Sequence, residues 1–262
     1  IIKIKDLSQS YFNNCQIMLT ILNHLGLGDQ IVINGLVRHF AEIEDCVQIY
    51  AKKSHVPSVR FMYRDLGTKV VVVPVNGPCH TADMMQFAKG RVLKLGVHGT
   101  PHQLFSDLVI GRYSEYINWV AMMYIQAGLN PNTMYKKFKI VRDKSRELLP
   151  PEQPYIFVHD DKQRGREIKI RGSEKEIYRP IVSKALPDGT YEYDDFNIFD
   201  YLTIIENAKE RHMMNSSYNW LVEIMEIGNK SNNFFHLNIG AHDYFPEKNT
   251  KTLCTADLWT FI

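Results

Sequence analysis

Cysteine is scarce and scattered in this chain of 262 residues: Cys15, Cys46, Cys79 and Cys254 lie far apart, and no two form a C-x-x-C pair. That spacing argues against zinc knuckles and disulfide frameworks and leaves reduced core thiols as the expectation. Charge of one sign is also lacking, because 31 Lys and Arg stand against 29 Asp and Glu, a formal net charge of +2. So weak a field gives no reason to expect nonspecific nucleic-acid binding. No apolar run approaches the roughly 18 to 20 residues of a spanning helix, and no secretory n-region and h-region opens the chain. A cytoplasmic protein with no spanning membrane segment is the expectation. Metal spacings are missing too: the ten histidines show no H-E-x-x-H, and Asp160-Asp161 and Asp194-Asp195 are adjacent pairs rather than Asp-x-Asp. No catalytic metal and no bound cofactor are therefore expected.

Hydrophobic residues make up 45% of the chain and charged residues 23%, the composition of a globular protein. The length suits one large domain or two of moderate size, each with its own core. The stretch that organises the rest is Asn23-His24-Leu25-Gly26-Leu27-Gly28-Asp29-Gln30, where the apolar run from Ile17 to Leu22 gives way to a helical pattern from Ile31 to Phe40. Gly26 and Gly28 let the backbone turn sharply and approach a ligand there, with helix amides pointing outside the strand ends. Ile31 holds the third glycine position of G-x-G-x-x-G, and G-K-[ST] is absent, so neither a dinucleotide fingerprint nor a P-loop fits. Asp29 suits either of two roles: a general base on a hydroxyl, or a first-turn acid favoured by the helix dipole.

Strand and helix patterns then alternate. Cys46 to Tyr50 reads as a strand, Ser54 as the cap of a helix to about Leu66, and Lys69 to Pro74 as a strand whose four consecutive valines suit cover on both faces of a parallel sheet. A helix from Thr81 to Lys89, a strand from Arg91 to Val97 and a helical region from about Gln103 to Ala127 follow, the last stopped by Gly128-Leu129-Asn130-Pro131. The basic run from Lys136 to Arg146 reads as a solvated helix face or a phosphate site, and Leu149-Pro150-Pro151 as a boundary. Beyond it come strands at Tyr155 to Val158, Ile177 to Val182 and Tyr191 to Tyr193, and a helix from Phe199 to Ala208 that Asp200 helps to start. Arg211 to Met214 is a strand, Ser217 to Ile227 a helix and Phe234 to Leu237 a last strand. The expected fold class is α/β: two Rossmann-like lobes, residues 1–150 and 151–262, with a cleft between them.

Three stretches lie where a strand's carboxyl end meets the next helix: Gly26 to Gln30, Val158 to Arg166, and Asn215-Ser216-Ser217-Tyr218. Arg164, beside Gly165, offers a fork of five donors suited to a diphosphate, or else an ordinary surface salt bridge. Asn215, Ser216 and Ser217 offer hydroxyls and free amides to phosphate oxygens, or else a simple helix cap.

The Leu25-Gly26-Leu27-Gly28-Asp29-Gln30 loop and its helix resemble the N-terminal glycine loop of the heptosyltransferase-like glycosyltransferases, which implies that Asp29 matches the family's catalytic base. The same loop is similar to the Gly-x-Gly-Asn-Gln pattern of certain fucosyltransferases, with Asp29 standing where those carry Asn. The run from Asp200-Tyr201-Leu202 to Asn215-Ser216-Ser217-Tyr218-Asn219-Trp220 resembles the fucosyltransferase segment whose serine-rich step lies against the donor nucleotide. Phe157-Val158-His159 is similar to the strand before those enzymes' phosphate-binding arginine, though Arg164 arrives later than their spacing has it. The resemblance implies a metal-independent GT-B glycosyltransferase that moves a sugar from a nucleotide-diphosphate donor to an acceptor hydroxyl, with inversion. The donor would lie on His159, Arg164, Asn215, Ser216, Ser217 and Tyr218, while Gly26, Gly28, Asp29 and Gln30 face a glycan or other hydroxyl-bearing acceptor. A sugar-nucleotide epimerase or hydrolase, or a non-catalytic nucleotide or sugar binder, are the alternatives.

Overall fold

In the computed structural model, which describes residues 18–76, 81–100, 119–161, 166–170, 175–180, 184–185, 191–192, 197–240 and 257–262, the apolar run before the glycine loop is a strand, Met18–Leu22 (β1), buried at every position. The chain continues through Leu27–Val32 (α1), Asn34–Ile43 (α2), Cys46–Lys52 (β2), Val56–Tyr63 (α3), Val70–Val75 (β3), Thr81–Met85 (α4) and Arg91–Lys94 (β4). These strands form one sheet in the order β3-β2-β1-β4, and every pair is parallel. Parallel strands require crossovers, which cover the sheet on both faces and explain why all of β1 and nearly all of β2 are buried and mostly apolar.

The chain next forms Trp119–Gln126 (α5) and Thr133–Lys137 (α6), then passes without helix or strand through residues 138–154 to a second sheet. That half comprises Tyr155–His159 (β5), Glu176–Tyr178 (β6), the antiparallel pair Lys184–Ala185 (β7) and Tyr191–Glu192 (β8), Leu202–Asn207 (α7), Glu210–Asn215 (β9), Ser217–Ile224 (α8), Asn233–Gly240 (β10) and Thr260–Phe261 (β11). The second sheet has the order β11-β10-β9-β5-β6, again parallel throughout. Two Rossmann-like lobes result. In each, the order reverses beside its first strand, so the topological switch points lie at the carboxyl ends of β1 and β4 and of β5 and β9.

The lobes share one apolar core, in which Leu19 and Ile49 of the first sheet belong to the same cluster as Phe157, Met213 and Phe235 of the second. Phe61 stacks on Phe199 at 5.5 Å, and the Ile198 amide donates to Ser58 Oγ at 3.2 Å. At the junction of α1 and α2 the Tyr124 hydroxyl donates to the Val32 carbonyl at 2.7 Å, tying α5 to the helix that follows the glycine loop. Gly35 is required there as well, since a Cβ would lie 2.5 Å from the Thr133 carbonyl where α2 meets α6.

Several elements differ from the sequence expectation, each for a physical reason. The valine run is an edge strand with Val71 and Val73 only partly buried, and Pro74 is tolerated inside it because an edge has an unpaired side. Ser54 lies in a 3-10 turn, Lys53–His55, and α3 starts after it with Pro57 in its first turn. The strand expected to reach Val97 ends at Lys94, because Gly96 turns the chain with φ of +58°. The basic run begins in α6, with Lys136 and Lys137, and continues without helix as a strap across both lobes. Lys137 pairs with Glu42, Lys139 with Asp65 at 3.4 Å, Arg142 with Glu147 and Glu206, and Arg146 with Asp200 at 3.0 Å. Burial opposes ionisation of Glu147, but bonds from Arg142 and Thr203 outweigh it and hold its carboxyl at about 2.

Asp200 does help to start its helix, through a capping box with Asn197 ahead of a 3-10 turn, Ile198–Tyr201, that leads into α7. One short strand, β11, follows the strand expected to be last. Cys46 is buried, with its Sγ donating to the Thr68 carbonyl at 3.8 Å, whereas Cys15, Cys79, Cys254, residues 103–118 and Arg164 lie outside the described residues. Among the described residues no helix is long and apolar enough to cross a membrane.

Candidate active site

Beyond β1 the chain is fixed by two amide side chains with no solvent exposure, Asn23 and Gln30. Asn23 Nδ2 donates to the carbonyls of His24 at 2.7 Å and Tyr50 at 3.1 Å, and its Oδ1 accepts the Tyr50 amide at 3.1 Å. Gln30 Nε2 donates to the same two carbonyls, at 3.1 and 2.8 Å, so Gln30 braces the loop from beneath. His55 Nδ1 lies 3.0 Å from the Leu25 carbonyl. A loop whose carbonyls are met by buried side chains has little freedom, because each broken bond would leave a desolvated polar group.

On this base stand Asp29 and His24. Asp29 lies in the first turn of α1, with its Oδ1 3.9 Å from His24 Nδ1; the two side chains are 23% and 21% exposed. Its other oxygen is turned against Gly26, where a Cβ would come within 2.4 Å, so Gly26 makes room for the carboxylate. His24 Nε2 accepts the Val97 amide at 3.1 Å. In the neutral ring that acceptor assigns the proton to Nδ1, the nitrogen facing Asp29. Gly96 must be glycine twice over, for its positive φ and because a Cβ would fall 2.1 Å from His24 Nε2. Gln126 holds the same turn, its Oε1 accepting the Gly96 amide at 2.6 Å and its Nε2 donating to Thr100 Oγ1 at 2.6 Å.

Trp119 lies nearly parallel to His24, 12° apart with centroids at 6.4 Å, and His98 meets its edge at 5.6 Å. His98 Nδ1 is 2.8 Å from Thr81 Oγ1. Burial lowers the pKa of His24 to about 4, and burial with the neighbouring His24 lowers that of His98 to about 4, so both rings are neutral at pH 7.

The second switch point carries His159 at the end of β5 and Asn215 at the end of the adjoining β9. Ser216 and Asn219 form a capping box at the start of α8, in which the Ser216 amide donates to Asn219 Oδ1 at 2.6 Å. Ser216 Oγ lies 2.9 Å from His159 Nδ1. Ser216 therefore caps its helix and holds the imidazole at once, and Ser217 follows with its amide at the positive end of α8. Burial puts His159 at about 4 against the opposing pull of Asp161.

Tyr218 is 3% exposed and packs on His159 at 4.3 Å and on Phe157 at 5.6 Å, so it supports the site from the core. Arg164 lies in a segment whose flanking residues, Asp161 and Arg166, exchange both backbone hydrogen bonds at 2.9 Å. Asp160 Oδ2 accepts from Arg179 Nε at 3.1 Å and from the Ile168 amide at 3.1 Å, which ties down the chain after that segment.

The two switch points meet. A Cβ on Gly28 would lie 3.3 Å from Trp220 Cδ1 and 3.6 Å from the Ser217 amide nitrogen, so the glycine loop rests on the first turn of α8. Trp119 closes the junction edge-on to Trp220 at 5.9 Å. The structure thus brings Gly26, Gly28 and Asp29 together with Ser216, Ser217 and, through Ser216, His159. His24, Gly96, His98 and Trp119 carry no role in the sequence reading, although His24 sits within the organising stretch. Its contact with Val97 spans 73 residues and leaves no local pattern to find.

No protein-family profile and no curated protein matches the chain by sequence. A solved structure does match: a glycosyl transferase family 9 protein from Veillonella parvula, with a TM-score of 0.50 and 8% identity over 94% of this chain and 86% of that one. At that identity the likeness concerns the fold alone, two Rossmann-like lobes.

Proposed function

We propose that the chain is a glycosyltransferase that moves a sugar from a nucleotide-diphosphate donor to an acceptor hydroxyl, without a metal and with inversion at the anomeric carbon. The observation that carries the reading is the meeting of two switch points at Gly28 and Ser217, one bearing a carboxylate and the other a helix start. In parallel α/β sheets ligands bind at such points, and here two ligands would be held against one another. The fold shared with a glycosyl transferase supports the same reading.

The donor side is residues 151–262. The amide of Ser217, the hydroxyl of Ser216 and the ring of His159 are its diphosphate contacts, with Arg164 supplying positive charge to the departing group. Asn215 sets the height of that helix start at the end of β9, and Tyr218 keeps the imidazole in place. The acceptor side is residues 1–150, with Asp29 as general base. The heptosyltransferase-like resemblance supports Asp29 as the base, and the fucosyltransferase-like one supports the donor side.

Incubation of the protein with UDP-, GDP-, ADP-, CMP- and dTDP-sugars, with and without Mg²⁺, tests the reading by release of the nucleotide product. The expected result is release from one donor class, independent of Mg²⁺ and faster when a sugar alcohol is added. Release that ignores added alcohols supports a hydrolase, an isomerised donor an epimerase, and binding without turnover a nucleotide binder.

A further inference from the structure

We propose that His24 and Asp29 together form the seat of the acceptor hydroxyl, the imidazole Nδ1–H donating to its oxygen while the carboxylate takes its proton. The inference rests on the transfer reading for its chemistry and on the following geometry for its site. His24 Nδ1 and Asp29 Oδ1 are 3.9 Å apart, too far for a bond between them, and both side chains are partly open to solvent. An oxygen about 2.8 Å from each would subtend about 90°, a workable angle between the proton that a hydroxyl donates and the lone pair on which it accepts. Its second lone pair remains to attack the anomeric carbon.

Neither partner is loosely held. His24 is locked by the Val97 amide on Nε2, by the absence of a side chain at Gly96 and by the parallel ring of Trp119. Its donor therefore points at Asp29 in the neutral state, and burial keeps the ring neutral at pH 7. Asp29 is aimed by its place in the first turn of α1 and by the space over Gly26. In the reaction the oxygen forms its bond to the anomeric carbon as its proton passes to Asp29. The bond to the diphosphate oxygen breaks, and its electron pair leaves with the diphosphate. Such a seat selects a hydroxyl, which offers both a proton and a lone pair, over an ammonium group, which has no lone pair to offer.

Two measurements test the seat. The first needs no donor: histidine-ring ¹⁵N NMR of the full chain at pH 7, with glycerol as the hydroxyl probe. The Nδ1–H neutral pattern is expected for His24, with a saturable shift of Nδ1 on adding glycerol that is lost in Asp29→Asn. An Nε2–H ring, a charged ring, or an Nδ1 signal indifferent to glycerol overturns the proposal whether or not any donor binds.

The second compares His24→Gln, which can still accept from Val97 but has no donor at the Nδ1 position, with His24→Asn, which restores that donor. Transfer to glycerol should fall roughly tenfold in His24→Gln with the donor Kd unchanged, and return to within about threefold of wild type in His24→Asn. Equal transfer in all three, or no recovery in His24→Asn, contradicts the seat. If the wild-type chain turns over no donor, the transfer reading fails and the NMR result alone decides whether the pair binds a hydroxyl.

Discussion

On the β1 side of the site the loop is pinned by Asn23 and Gln30, both without solvent exposure, and by a turn that only Gly96 can make beside His24. On the β5 side the His159 ring is held by Ser216 at 2.9 Å and by packing on Tyr218 at 4.3 Å, and the helix start by one capping box, all in the first turn of α8. The contrast is one of tolerance. Buried amides bonded to backbone carbonyls fix a side chain within a fraction of an ångström, as proton transfer requires. A helix start with hydroxyls offers several adjustable donors, which suits a flexible chain of phosphate oxygens. That contrast is what the proposed division of work between the two lobes requires.

The sharpest way to break that contrast is Asp29→Asn. It should lower kcat by about 10²- to 10⁴-fold, the usual contribution of a positioned general base, and leave the Tm within a degree or two. Wild-type turnover in this variant would remove Asp29 from the mechanism.

Next is Gly96→Ala, which strains a positive φ and drives a Cβ into His24. A loss of about 2 to 3 kcal/mol in urea unfolding is expected, together with most of the activity, because the ring must shift. A neutral result would mean that the turn is looser than the rest of the β1 side.

The third effect depends on pH. His24, His98, His159 and His236 all have folded-state values near 4, lowered by burial, against about 6.5 for the unfolded chain. The unfolded state therefore binds more protons between those values. The stability these neutral rings contribute is complete above about pH 6.5, and it is lost as pH falls toward 4. Urea midpoints at pH 7.5, 6, 5 and 4 should decline through that window, and His24→Asn should flatten the decline. A flat profile would show that the rings are not buried as described.

The smallest effect is that of Ser216→Ala, which removes a cap and the partner of His159. It should cost about 1 kcal/mol in stability. A loss as large as that of Gly96→Ala would erase the distinction between the two sides.

Much of this site is legible in the sequence where its causes are local. A run of apolar residues ending at Leu22, two glycines and an amphipathic start gave the β1 junction, and Asn215-Ser216-Ser217 after an apolar run gave the start of α8. What escapes is whatever depends on pairing across the chain. Four valines look the same in a central strand and an edge strand, and only the pairing of β2 on one side of β3 decides between them. The lysines and arginines from Lys136 to Arg146 look like a helix face until Glu42, Asp65, Asp200 and Glu206 arrive from both lobes. His24 reads as a loop residue until Val97 and Trp119 close on it, and Gly28 as a ligand-approach glycine until Trp220 is set against it.

Whether binding and proton transfer are divided between the two switch points is decided by calorimetric titration of nucleoside diphosphates into wild type, Asp29→Asn and Ser216→Ala side by side. The expected result is one diphosphate whose Kd is unchanged in Asp29→Asn and weakened about three- to tenfold in Ser216→Ala. Weakening in Asp29→Asn with none in Ser216→Ala would put the phosphates on the β1 side and contradict it.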